Sequence, residues 1–271
     1  MSTTVLLGTQ GWKVGAWVGP FYPHGTTSAD ELATYARAFN TVEVGTSSFG
    51  IPAEPVVRDW AEQVPGEFRF AFKVPQQVTH ERQLQDTEII VRRFLDRVSV
   101  LGERLGPLLV QLSPAFRPNE ENRAIVDAFC GTLPPEFQWA VEFRHAGWMT
   151  DATLDMLRNH DVGTVLADSR WIPREMIPDL ALEPTSDFGY LRWEGTGRRL
   201  TDVSRPQLDR DRELDLWQGV INTLAERVAT IYGYFDDQFE GHAPHSVRAL
   251  QERLGQSPVP PEAMREQAEL F

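Results

Sequence analysis

One cysteine, Cys130, stands in a chain of 271 residues, so an intrachain disulfide is excluded, as is a metal site built from sulfur. Its place late in a helix-like stretch, just before Gly131, favours packing over reactivity. Basic residues are sparse. The 26 Lys and Arg face 39 Asp and Glu, a net charge of −13, which favours solubility and opposes non-specific attachment to nucleic acid or anionic membrane. Nucleic acid is therefore a disfavoured partner, although a local basic pocket is compatible with this balance. No apolar run approaches the length of a bilayer span. The opening Met1-Ser2-Thr3-Thr4-Val5-Leu6-Leu7 lacks a basic region leading into a signal-length apolar segment. The expectation is a cytoplasmic protein with no membrane partner. A Gly-x-Gly-x-x-Gly dinucleotide signature is also missing, and no cofactor is expected. No repeat of 20 to 50 residues points to a solenoid.

What is present is a recurring phrase: a short apolar run that delivers a polar residue just before a turn. Thr41-Val42-Glu43, Phe70-Ala71-Phe72-Lys73, Leu108-Leu109-Val110-Gln111, Ala140-Val141-Glu142-Phe143-Arg144, Thr164-Val165-Leu166-Ala167-Asp168, Tyr190-Leu191-Arg192 and Tyr232-Gly233-Tyr234-Phe235-Asp236 all follow it. Such runs read as parallel strands buried on both faces. In a closed parallel barrel every strand opens at its carboxyl end onto one face, where ligands bind. The polar residues would then converge on one pocket.

Helix-like segments alternate with these strands. Ser28-Ala29-Asp30-Glu31 has a capping-box pattern opening a helix towards Phe39. Residues Ala53–Gln63 read as the next helix, and Val91, Leu95 and Val98 mark another. Asn119 caps a helix through Cys130, and a further one spans Ala152–Asn159. Trp171–Pro184, with three prolines, reads as an irregular excursion. Trp217, Val220, Ile221, Leu224 and Val228 share one helical face, and Ser246–Leu254 is read as the final helix. This alternation predicts an α/β fold, a single (β/α)8 TIM barrel over residues 1–255. Residues 256–271, opening Gln256-Ser257-Pro258-Val259-Pro260-Pro261, read as a Pro-rich C-terminal tail.

Several phrases resemble domain of unknown function 72, the YecE-like family of TIM-barrel proteins. Gly8-Thr9-Gln10-Gly11-Trp12 with Phe21-Tyr22-Pro23, Lys73-Val74-Pro75 with Thr79-His80, Leu101-Gly102 with Leu108–Leu112, and Val141-Glu142-Phe143-Arg144-His145 with Trp148 carry the resemblance. Their order and spacing cover the chain up to its Pro-rich tail. The resemblance implies a barrel and leaves the activity open. This chain departs from the family pattern at the strand ends. Gly45 stands where the family carries Asn, Glu194 replaces the His of Tyr-x-Arg-x-His-Gly, and Asp236-Asp237-Gln238 replaces Asn-Asn-Asp. These changes imply a divergent branch.

Read as chemistry, Glu43 and Glu142 are the candidate acid–base pair, with Asp168 as an auxiliary carboxylate, because strand-end carboxylates in unlike environments can divide acid and base roles. Lys73, Arg144 and Arg192 supply positive charge for an anionic substrate group. A Schiff-base role for Lys73 is the sharper version, since desolvation beside two guanidiniums lowers an ammonium pKa. The plainer alternative is ion pairing with Glu43, Glu142 and Asp168. Gln111 is expected to orient a polar partner. Trp12 and Trp148 border polar strand ends and are candidates to stack on a ligand, while Trp171 and Trp193 are expected to plug the barrel top. His80, His145, His242 and His245 with Asp168, Asp236 and Asp237 contain enough donors for a divalent ion, but no compact signature fixes a geometry, and no metal is expected. The resulting expectation is an enzyme performing hydrolysis or other acid–base chemistry on a small anionic or sugar-like ligand. The alternatives are a non-enzymatic ligand-binding or interaction protein and a metal-dependent endonuclease-like barrel.

Overall fold

A computed structural model describes residues 3–195, 197 and 199–266; Met1, Ser2 and the last stretch of the expected tail, residues 267–271, lie outside them. Eight parallel strands form one sheet: β1 (Thr4–Thr9), β2 (Thr41–Val44), β3 (Arg69–Lys73), β4 (Leu105–Gln111), β5 (Trp139–Glu142), β6 (Val162–Ser169), β7 (Phe188–Gly195) and β8 (Thr230–Phe235). Their order runs β1-β8-β7-β6-β5-β4-β3-β2. The ring is nearly closed, and a parallel bridge between Gln10 and Glu43 joins its ends.

That seam between β1 and β2 is built from side-chain chemistry. Gly8 packs so close to Thr41 that a β-carbon there would meet the Thr41 carbonyl oxygen at 2.0 Å, so only glycine fits. The buried Tyr35 hydroxyl accepts a hydrogen bond from the Thr9 amide at 2.9 Å and donates to the Thr41 carbonyl at 3.0 Å. It thus occupies the place of a missing ladder bond.

Helices cover the outside: α1 (Glu31–Tyr35), α2 (Glu54–Glu62), α3 (Glu88–Val98), α4 (Glu120–Cys130), α5 (Asp151–Asn159), α6 (Ile177–Leu182), α7 (Asp211–Ala225), α8 (Ala243–Arg253) and α9 (Pro261–Glu266). Asn119 caps α4 through a 2.7 Å bond from the Asn122 amide to its side chain. Val91, Leu95 and Val98 of α3 face the core, as do Trp217, Val220, Ile221 and Leu224 of α7. Cys130 is buried, and burial pushes its thiol up to about 12.

Some elements differ from expectation. Helix α1 is short and has no side-chain cap; Asp30 instead receives the Thr27 hydroxyl at 2.6 Å. The stretch read as irregular contains α6, whose Pro178 lies in the first turn, where a missing N–H costs nothing. Helix α8 begins before Ser246, again with a proline in its first turn, and α9 follows the 256–260 segment. That segment is fastened by a 3.0 Å bond from Gln256 to the Val5 carbonyl, and Met264 is buried. Among the described residues, no helix is long and apolar enough to cross a membrane.

The strand alternation sorts side chains into two sets. Pointing out towards the helices are residues such as Val42, Phe72, Val110, Val141, Leu166, Leu191 and Phe235. Pointing into the barrel are Ala71, Leu109, Ala140, Val165, Ala167, Phe188, Tyr190, Tyr232 and Tyr234, with Leu6 against them. Small residues on β3, β5 and β6 make room for the rings of β7 and β8, so the interior is filled and forms a floor rather than a channel.

Candidate active site at the barrel mouth

Continuing the inward alternation to the carboxyl end of every strand but β6, whose register shifts between Asp168 and Ser169, names the site. It selects Gln10, Glu43, Lys73, Gln111, Glu142, Arg144, Arg192, Glu194 and Asp236. Arg192 is the hub, almost fully buried. Its Nε and Nη2 reach the two oxygens of Glu43, each at 2.9 Å. Its Nη1 contacts Glu142 at 2.5 Å and, still closer, Glu194, while Nη2 also donates to Gln10 at 2.8 Å. All the donors of this guanidinium are thus engaged by protein oxygens. Burial opposes its charge, but Glu43, Glu142 and Glu194 hold it protonated well beyond the ordinary range.

Glu43 and Glu142 are equally committed. Glu43 also receives the Tyr190 hydroxyl at 2.8 Å. Glu142 receives Arg144 Nε at 2.7 Å and Gln111 Nε2 at 3.0 Å. Burial would raise the Glu142 pKa, yet the Arg192 and Arg144 guanidiniums and the hydrogen bonds from Arg144 and Gln111 outweigh it, bringing the carboxyl down to about 2. Glu194 behaves oppositely. Burial, then the charge of Glu142, raise its pKa against Arg192 and Arg144.

Lys73 ends β3 without an ion pair among the described residues. Burial, then Arg192, lower its pKa, opposed by Glu43. Nearby His80 is shifted down by burial, Lys73 and Arg144. A cleft of about 430 Å³ opens beside Lys73, directly over the β1–β2 seam. Its polar side carries Gln10, Lys13, Glu43, Lys73, Arg192 and Asp236, with Lys13 exposed and Lys73 partly buried, and its apolar side Trp12, Val44, Phe49 and Trp60. Trp12 and Trp60 meet edge to face at 5.3 Å, the Trp12 indole N–H has no hydrogen-bond partner, and Phe49 is 79% exposed. Asp236 accepts the Gln238 amide at 2.8 Å on one oxygen, and burial raises its pKa against that bond.

This geometry coincides with strong relatedness. The family profile described as "Protein of unknown function DUF72" matches residues 6–268. The chain belongs to the DUF72 family. The YecE protein of Escherichia coli K12 is 35% identical over 262 residues, covering 92% of each chain. A DUF72 family crystal structure from Thermotoga maritima superposes with a TM-score of 0.80 at 24% identity, covering 93% of this chain and 100% of that one. Another from Enterococcus faecalis gives 0.71 at 20% identity, covering 94% and 99%.

Two expected site residues of this DUF72 chain lie elsewhere. Asp168 has the outward parity of Leu166 and is held by Arg174 at 2.8 and 3.0 Å and by the Trp217 indole at 2.9 Å, so it anchors the β6–α6 segment to α7. Trp148 is fully buried, stacked on Phe143 at 4.6 Å and Phe116 at 5.9 Å, with its N–H donated to the Phe116 carbonyl at 2.9 Å. It is a packing residue. Trp193 likewise stacks on Phe235 at 4.0 Å, outside the barrel. The histidines are dispersed: His242 contacts the Val203 carbonyl, His245 contacts Glu240, and His145 accepts the Gly147 amide. Among the described residues, no group of three or more His, Cys, Asp or Glu side chains is arranged to hold a metal ion.

Gln10, Tyr190, Trp60, Glu194 and Asp236 are absent from the expected site; Glu194 enters the sequence reading only as a departure from the family pattern, and Asp236 as a strand-end residue, part of such a departure and a possible metal donor. Gln10 and Tyr190 were accessible to the alternation argument once one inward residue per strand was fixed. Trp60 comes from α2, and only tertiary packing brings it to the cleft. A second cavity, about 460 Å³, lies against α4 and Leu84–Glu88; it takes no side chain from the strand ends.

Proposed function

We propose that this protein is an enzyme performing proton-transfer chemistry, hydrolysis included, on a small anionic substrate with an apolar or sugar-like body. The observation that carries this reading is that Lys73, a cation without an ion pair among the described residues, shares a cleft with Asp236, a carboxyl whose pKa is raised. Lys73 would take the anionic group as a point charge. A carboxyl shifted towards working pH suits a general acid or base. Trp12, Trp60 and Phe49 offer faces for a ring or sugar. In this reading Glu43 and Glu142 fix Arg192 and shape the field, because their oxygens are already hydrogen-bonded.

The test is thermal-shift and calorimetric titration with benzoate, using benzyl alcohol as the neutral counterpart. Benzoate binding that benzyl alcohol does not reproduce supports the anion role; equal effects from both contradict it. Native mass spectrometry of the purified protein then identifies retained small molecules. With such a substrate, Asp236→Asn should bind it yet lose about 10²–10⁴ in turnover.

The commitment of Glu43 and Glu142 favours a second reading, a ligand-binding protein without turnover. Wild-type protein that retains such a molecule unchanged over many hours supports that reading instead.

A further inference from the structure

Beside the cleft, donors from three different strand ends converge on one oxygen atom. Glu194 Oε1 accepts from Arg144 Nη2 at 2.6 Å, from Gln111 Nε2 at 3.4 Å and, at close range, from Arg192 Nη1. Its other oxygen has no hydrogen-bond partner among the described residues, and the side chain is 17% exposed. The adjacent Glu142 is 1% exposed and has both oxygens held. Glu194 therefore sits as a bound carboxylate would, with one oxygen gripped at the rim of the mouth.

The charges point the same way. Arg144, Arg192, Lys73 and Lys13 are positive, and Glu43, Glu142 and Asp236, when ionised, balance three of them. An ionised Glu194 neutralises the fourth. Without it, one positive charge and a set of convergent donors are left, which suits a singly charged oxyanion. Burial and the Glu142 charge already oppose ionisation of Glu194.

We propose that Arg144, Gln111 and Arg192 form an oxyanion subsite that Glu194 fills as an internal counterion, and that an anionic oxygen of a small carboxylate or phosphate ligand replaces Glu194 Oε1 there. The inference rests on the anionic-substrate reading above and names the atoms that receive the charge. The groups facing Glu194 are Glu142 and Arg144 at the β5 end, Arg192 on its own strand, Glu43 on β2 and the neutral Gln111 on β4. Above the Glu194 pKa, entry of the ligand is accompanied by proton uptake on Glu194. Affinity for the anion therefore rises as pH falls.

Calorimetric titration of the full chain with acetate and, separately, inorganic phosphate tests this. At about pH 8, Glu194→Ala should bind at least one of them roughly tenfold or more tighter than wild type. The gain should shrink as pH is lowered towards about 5 and disappear in Glu194→Ala/Arg144→Met. Preference for acetate marks a carboxylate site; preference for phosphate marks a phosphate site. A folded Glu194→Ala protein with no gain, or a gain that survives in the double variant, overturns the proposal. Should Glu194→Ala fail to fold, Glu194→Gln keeps the volume and should reduce the pH dependence of anion binding to that of the ligand's own ionisation; an unchanged pH dependence overturns the proposal equally. No gain in Glu194→Ala with benzoate binding intact rejects this subsite alone, whereas loss of both rejects the anionic-substrate reading as well.

Discussion

Glu142 and Glu194 share Arg144, Arg192 and Gln111 as donors, yet their protonation is driven in opposite directions. The difference lies in how many oxygens are satisfied: the guanidiniums outweigh burial at Glu142 and do not at Glu194. It has a consequence for stability. Glu142 falls from an ordinary 4.5 to about 2 on folding. A depressed carboxylate contributes stability that is present above 4.5 and lost as pH drops towards 2. Urea titrations across this window should show a steep acid limb that flattens in Glu142→Gln. Glu194 has the opposite sign: its raised pKa favours the folded state at low pH, and that contribution is lost as pH rises. Glu194→Gln should therefore gain stability at neutral pH relative to wild type and not at about pH 4; a loss at both pH values contradicts this assignment. Removing the hub is harsher. Arg192→Met leaves Glu43 buried without its counter-charge and Glu142 with Arg144 alone, and should cost about 3–5 kcal/mol in urea unfolding. The residue types at the mouth were readable from strand-end phrases, but their roles were not. Glu43, Lys73, Gln111, Glu142, Arg144 and Arg192 do meet, whereas Asp168 faces out because its parity follows Leu166 rather than Val165. An unbroken apolar run buried on both faces does not announce which of its residues point inward.

At the level of elements, the weak point of the ring is the seam between β1 and β2, which Gly8 and Tyr35 hold together. Tyr35→Phe keeps the ring packing against Phe21 and Phe39 but strips a buried carbonyl and a buried amide of their shared partner. It should destabilise the protein by about 1–3 kcal/mol, measured by urea unfolding. Amide exchange at Thr9 should rise with it, and unchanged protection there would contradict the bridging role. Helices with clear apolar faces and conventional caps, such as α3, α4 and α7, were legible in sequence. Helices α6, α8 and α9 were less so, since each carries a proline in its first turn. Read alone, a proline breaks a helix; at its start, it fixes a favourable φ. Which face of α2 would send Trp60 to the cleft depended on how that helix docks, and local sequence contains no statement of it.

Across the whole molecule, an acidic balance surrounds a mouth whose cations are buried (Arg192) or partly buried (Lys73 and Arg144). The net charge is −13, and yet Lys73, Arg144 and Arg192 gather within one ring of strand ends. Long-range attraction of anions is thus weak, while local recognition inside a desolvated mouth is strong. The barrel itself was legible because its alternation of strand and helix is global and redundant, so no single misread element alters it. The central claim is that the cleft over the seam recognises one negative charge through Lys73. Isothermal titration of benzoate into wild type and Lys73→Met at pH 7 measures this directly. Loss of one charge-assisted contact should weaken binding by about 1.5–3 kcal/mol, roughly ten- to a hundredfold, with the thermal midpoint of the unliganded protein not lowered, because burial already disfavours the Lys73 charge. Equal benzoate affinity in the two proteins, or no saturable binding to wild type, would contradict the account.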